Sequence, residues 1–274
     1  MTRFRIGHTG ITWGYGSKEM EQAVKDTAEL KYCAFETFGS VLEEYERDRP
    51  GGFGAILQRY NIPLSAAYCW TTFSEPAQAL ADIEQVVRWS KVAHKLGAET
   101  IVVQAGKRSD KPYPYFAEMG EAFNEIGRQV KAMGMMTAIH PHTGTLIETR
   151  AEIDAVLHAV NPDLVGFAPD TGQIANGGSD AVATLADYKS MIRHVHLKDW
   201  GGGRFTGYSD YEPIGSGVVD MAGIFRVLED ANFGGWVMVE LDGTPQAPRP
   251  PREAAAMSKR YLEKLLGDKA IWAK

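Results

Sequence analysis

The chain of 274 residues is poor in sulfur, and no stretch of it is greasy enough to leave water. Two cysteines, Cys33 and Cys69, are too few for a disulfide framework. Each borders an apolar run, so both are expected to be reduced core residues. No run approaches the ~20 apolar residues of a membrane span, and residues 1–8 hold no segment of signal-peptide length. The sequence therefore predicts a soluble, cytoplasmic protein with no membrane partner. Positive charge is also short, with 29 Lys+Arg against 35 Asp+Glu and a net charge of -6. That balance argues against a nucleic-acid partner, because phosphate binding needs a basic face. Linkers and low-complexity tracts are missing too, so residues 1–274 read as a single domain.

What is present is alternation. Short apolar, β-branched runs at residues 4–7, 33–35, 62–69, 100–103, 136–139, 164–168, 192–197 and 236–239 read as strands. Between them lie helical patterns at 18–30 (capped by Ser17), 41–60 (interrupted near Pro50-Gly51-Gly52), 75–96, 115–132 and 149–160 (capped by Thr149). Three more follow at 181–190, 221–231 and 252–266, with a loop at 201–217 and a turn built on Pro245, Pro248, Pro250 and Pro251. Eight strand–helix units of ~30 residues each predict an α/β fold of the (β/α)8 TIM-barrel type.

In such a barrel the loops after the strands share one face, so residues distant in sequence converge there. The stretch Met191-Ile192-Arg193-His194-Val195-His196-Leu197-Lys198-Asp199-Trp200 ends in an imidazole, an ammonium and a carboxylate. Strands five to eight end at His140, Asp170, His196 and Glu240. Two imidazoles and two carboxylates without thiolate suit one divalent metal (Mn2+, Co2+, Fe2+ or Zn2+) rather than a structural zinc. Alternation puts His140 and His142 on the same side, which leaves open which of them is the ligand. His194 also points inward, deeper, as a hydrogen-bonded interior residue. Glu36 and Gln104 end strands two and four at the same face, and Tyr68 and Trp70 close strand three.

The chain resembles the xylose-isomerase-like barrels of sugar isomerases, epimerases and dehydratases along its whole length. The similarity is most specific in Phe167-Ala168-Pro169-Asp170-Thr171-Gly172, His194-Val195-His196-Leu197-Lys198-Asp199, Pro213-Ile214-Gly215-Ser216-Gly217-Val218-Val219-Asp220 and Gly234-Gly235-Trp236-Val237-Met238-Val239-Glu240. The resemblance implies ligand roles for Asp170, His196 and Glu240. Its usual strand-five glutamate is replaced by His140, within His140-Pro141-His142-Thr143-Gly144-Thr145, which is similar to the inosose dehydratase branch. Ile11-Thr12-Trp13 is similar to that branch as well. Spacing to Gly144 matches His140 to the replaced glutamate. Where many relatives carry a histidine after Asp-Thr-Gly, this chain has Gln173, a neutral amide suited to a substrate hydroxyl but not to proton transfer.

A divalent metal with open positions chelates a ketone and a neighbouring hydroxyl and stabilises the enediolate left by α-proton removal. The expected activity is dehydration of a small keto-sugar or cyclitol such as an inosose. Glu240 is the expected base, and His142, Lys198 or Glu36 the proton donor. Trp13, Tyr68 and Trp70 are expected to wall the substrate, with Gln104 and Gln173 binding its hydroxyls. Isomerisation or epimerisation is the enzymatic alternative, and non-catalytic sugar binding the alternative of another class. A DNA-repair endonuclease is disfavoured by the charge, and self-association is left open.

Overall fold

The computed structural model describes residues 2–73, 78–108, 115–203, 210–242 and 249–274. Residues 75–77 of the expected helix 75–96, Pro245 and Pro248, and part of the loop 201–217 lie outside them. The strands are β1 (Phe4–Thr9), β2 (Phe35–Phe38), β3 (Leu64–Trp70), β4 (Thr100–Gln104), β5 (Met136–His140), β6 (Val165–Phe167), β7 (His194–Leu197), β8 (Asp199–Trp200), β9 (Tyr211–Glu212), β10 (Trp236–Val239) and β11 (Ala270–Ile271). The helices are α1 (Met20–Glu29), α2 (Gly39–Asp48), α3 (Gly52–Arg59), α4 (Ala79–Lys95), α5 (Phe116–Ala132), α6 (Arg150–Ala159), α7 (Thr171–Asn176), α8 (Ala181–Asp187), α9 (Met221–Asp230) and α10 (Pro251–Leu266).

β1 to β7 and β10 are the eight parallel staves of a barrel, paired in the order β6-β5-β4-β3-β2-β1-β10-β7. Single bridges, Phe167 to Ile192 and Asp170 to His196, carry β6 across to β7 and nearly close the ring. Parallel strands buried on both faces need unbroken apolar runs, and that is what the sequence supplies. Inside the barrel a layer of small residues (Ala66, Val102, Ala138 and Ala168) lies under Tyr68. Their small volume leaves room above them, at the C-terminal rim, for larger polar side chains. Outside, the helices pack a continuous core against the staves.

Several expected boundaries shift. Ser17 does not cap α1: its hydroxyl donates to Glu44, 2.9 Å away, and the helix starts at Met20. The interruption expected within 41–60 is present: two helices meet where Gly51 takes φ 74°, a conformation open to glycine at little cost. Thr149 does cap α6, through a reciprocal capping box with Glu152. Not foreseen were α7, the antiparallel β8–β9 pair and β11, which pairs with β1.

Candidate active site

The strand registers place the rim residues. Thr9 is opposite Glu36, Gln104 opposite His140, Met238 opposite His196, and Asp170 bridges His196. His140, Asp170 and His196, each wholly buried, bring ligand atoms within 4.8 Å of one another. His140 Nδ1 and Nε2, His196 Nδ1 and Asp170 Oδ2 make no hydrogen bond. Buried polar atoms without partners are costly, and this convergence of imidazole and carboxylate groups fits a divalent cation. Asp170 divides its work: Oδ1 accepts the backbone N–H groups of Gly172 and Gln173 at 2.9 Å and starts α7, while Oδ2 faces His140 at 3.9 Å. It is thus both a helix cap and a candidate ligand.

Glu240, the fourth expected ligand, is turned to other partners. Its Oε1 lies 2.7 Å from Lys198 Nζ and its Oε2 3.0 Å from His196 Nδ1. Burial opposes its charge, but Lys198 and His196 outweigh burial and hold its carboxyl well below the usual range. Lys198 Nζ also meets Asp170 Oδ2 at 3.1 Å and Asp242 Oδ1 at 2.9 Å, and sits 4.9 Å from the Tyr211 ring centroid. The Asp170 contact is an ion pair without hydrogen-bond geometry, which is why Oδ2 still counts as unbonded. Although burial opposes it, the carboxylates of Asp170, Asp242 and Glu240 keep the ammonium charged well past its ordinary range.

Gly172 makes this placement possible, because a Cβ there would lie 2.7 Å from Lys198 Cγ. Lys198 has no exposed surface and is not among the residues that line the cavity. The structure thus places Lys198, an expected proton donor, outside the cavity wall and in ion pairs with Glu240 and Asp242.

Glu36, expected as another proton donor, lines the cavity but is held by two imidazoles. Its Oε1 is 2.8 Å from His196 Nε2 and its Oε2 2.7 Å from His194 Nε2. Burial would raise its pKa, yet the two imidazoles bring it down to about 2. A carboxylate so held is a poor proton donor. His194 sits deeper in the barrel, as alternation required.

A cavity of about 370 Å³ opens above this cluster, lined among others by Tyr15, Phe38, Tyr68, Trp70, Gln104, His142, Glu240 and Asp242. Tyr68 donates to Gln104 Oε1 and packs against both His140 and His196, at ring distances of 5.2 and 6.0 Å. Trp13 is not part of this wall. Its indole N–H donates to Asp26 Oδ2 at 2.9 Å and its ring packs edge-on to His8, so it is core. Gln173 does not reach the cavity either, because both ends of its amide are engaged. Oε1 accepts from Thr143 N at 3.1 Å, from Thr143 Oγ1 and from the Tyr211 hydroxyl, while Nε2 reaches His142 Nε2 at 3.0 Å and Asp242 Oδ2 at 3.3 Å. His142 Nδ1 lies 2.8 Å from the Thr143 carbonyl, so these partners set the Nδ1–H tautomer, with Nε2 accepting from Gln173.

Not foreseen in the site were Asp242, Thr143 and Tyr211, and the cavity-lining Tyr15 and Phe38. Asp242 follows Glu240 by two positions, and the same alternation that paired His140 with His142 would have pointed to it. Tyr211 left no signal, since it lies in a long loop and is delivered by β9.

A family model described as xylose isomerase-like TIM barrel matches residues 24–265. An inosose dehydratase of Geobacillus kaustophilus is 27% identical, over 96% of this chain and 95% of that protein. One from Klebsiella pneumoniae is 29% identical, over 92% of each. Among solved structures, the IOLI protein with a bound zinc atom superposes with a TM-score of 0.80 at 17% identity, over 97% of this chain and 99% of that one.

Proposed function

Because the chain belongs to the xylose isomerase-like TIM barrel family, we propose that it is a divalent-metal-dependent lyase that dehydrates a keto-polyol of the inosose type. The observation that carries the reading is the convergence of His140, whose ring nitrogens are unpartnered, with His196 and Asp170 beneath a cavity with one aromatic wall. The inosose dehydratases among its relatives support the substrate class. Mixed imidazole and carboxylate donors suit Mn2+, Co2+, Fe2+ or Zn2+. Bound there, such an ion would supply Lewis-acid polarisation of a substrate ketone.

The chain's own groups do the rest. Glu240 lines the cavity and is kept ionised, so it is the acceptor for the proton on the carbon beside the ketone. Lys198, itself paired with Asp242, holds that carboxylate in place from behind. Of the three expected proton donors, Glu36 and His142 line the cavity. Glu36 is held by two imidazoles, so the departing hydroxyl is assigned to His142, whose Nε2 must exchange its Gln173 bond for a proton to serve it. Tyr68 and Trp70 cover the C–H faces of the ring, and Gln104 holds a hydroxyl.

Incubating 2-keto-myo-inositol with the protein and Mn2+ or Co2+ should produce the absorbance of a dione, and chelator should stop it. If no dione forms while a ketose is epimerised under the same conditions, the dehydratase reading is wrong. Glu240→Gln should keep the fold and slow deuterium exchange from heavy water into the substrate by ~10²-fold or more, the usual worth of a positioned base. Undiminished exchange would move the base elsewhere.

A further inference from the structure

Glu36 takes one imidazole on each carboxylate oxygen, and the two come from alternate positions of a single strand, His194 and His196 on β7. An ionised carboxylate only accepts hydrogen bonds, so Nε2 of both rings must carry hydrogen. With Nε2–H committed to Glu36, Nδ1 is the nitrogen that His196 has left to offer. That atom is buried, faces Glu240 Oε2 at 3.0 Å on the side of the expected ligands, and belongs to the ring that shares a ligand group with His140 and Asp170. We infer that Glu36 is a positioning residue that fixes His196 as the Nε2–H tautomer and aims its Nδ1 at the metal. His194 is the second arm of the clamp and keeps the carboxylate from rotating. The arrangement is a carboxylate–histidine–metal relay closed by a further histidine, and it rests on the metal reading given above.

The test uses the intact, zinc-loaded protein with ¹⁵N-labelled histidine. Long-range ¹H–¹⁵N correlation should show His196 protonated at Nε2, with its Nδ1 resonance shifted by zinc. Glu36→Gln offers one accepting and one donating end, so it can satisfy only one imidazole in the Nε2–H form. Loss of an outer partner of this kind typically costs 10–100-fold in metal affinity, and chelator competition should show that loss. His194→Gln leaves the Glu36–His196 bond in place and should change zinc affinity less than ~3-fold. If Glu36 merely packed the barrel, its substitution would lower thermal stability and leave zinc affinity alone.

Zinc held through Nε2 of His196 in the parent protein overturns the inference, even if Glu36→Gln fails to fold. So does a folded Glu36→Gln protein that binds zinc as tightly as the parent. Failure to take up zinc at all sinks the metal reading itself, and this inference with it.

Discussion

His8 is a histidine that no site uses, and for that reason it reports on the fold. It is 1% exposed, bonded at Nδ1 to the Thr9 carbonyl at 2.9 Å, and flanked edge-on by Trp13 and Tyr32. Burial lowers its pKa from 6.5 to about 4. Between those values the unfolded chain binds a proton that the folded one refuses. The stabilisation is therefore complete above pH 6.5 and is lost as pH falls toward 4, up to about 3 kcal/mol. Urea melts at pH 7 and pH 4.5 should show this slope in the parent and a flatter one in His8→Gln. Equal slopes would remove burial of His8 as the cause. At this scale the sequence was legible where a residue ended a strand and illegible where it sat in a loop. Strand ends placed His140, Asp170 and His196 at the rim, and the family resemblance was needed to prefer His140 to His142. Trp13 lies in a loop, where no periodicity tells a cavity wall from core, and Asp26 decided the matter from another element.

At the scale of elements, Asp199 shows why a loop motif has its composition. Its carboxylate accepts the backbone N–H groups of Gly215 and Gly217 at 2.9 Å, Val219 at 3.1 Å and Trp200 at 3.0 Å. A Cβ on Gly217 would lie 2.3 Å from the Trp200 carbonyl, so the approach needs glycine. The Pro213–Asp220 motif is thus a loop folded onto one carboxylate. That loop lies beside β9, whose Tyr211 hydroxyl supports Gln173. Asp199→Ala should cost about 2–3 kcal/mol, the scale of buried amides left without an acceptor, and should open residues 210–220 to protease. An unchanged melting temperature and cleavage pattern would show that the loop holds itself. Long alternating strands and helices were readable because their periods repeat several times. The six residues of α7 and the paired dipeptides of β8 and β9 are too short for a period, and tertiary contacts specify them instead.

For the whole molecule, eight staves were predictable because each unit repeats the same apolar strand and amphipathic helix. The closure at β6 and β7, through two isolated bridges, was not, since it depends on how the ring meets itself. The same seam carries Asp170 and His196, so metal loading is expected to fasten the barrel where its hydrogen bonding is thinnest. Mn2+ at 100 times its dissociation constant should stabilise the protein by about 2.7 kcal/mol, read from the urea midpoint, and absence of any shift would show that the folded protein does not bind Mn2+. Removing the internal cation should act in the opposite direction. Lys198→Met leaves Asp170, Glu240 and Asp242 facing one another, and breaking a buried pair in this way costs about 3–5 kcal/mol. Added Mn2+ should then restore more stability than it gives the parent.

The Lys198 ammonium has a consequence for ion selectivity. Because it is tethered, its effective concentration at the carboxylates is at least millimolar, and no dilution or dialysis removes it. Exchanging it for sodium or potassium trades one monovalent charge for another and gains nothing, whereas a divalent ion brings a second charge to Asp170 and Glu240. The lysine is thus expected to act as a threshold against monovalent electrolyte at these carboxylates.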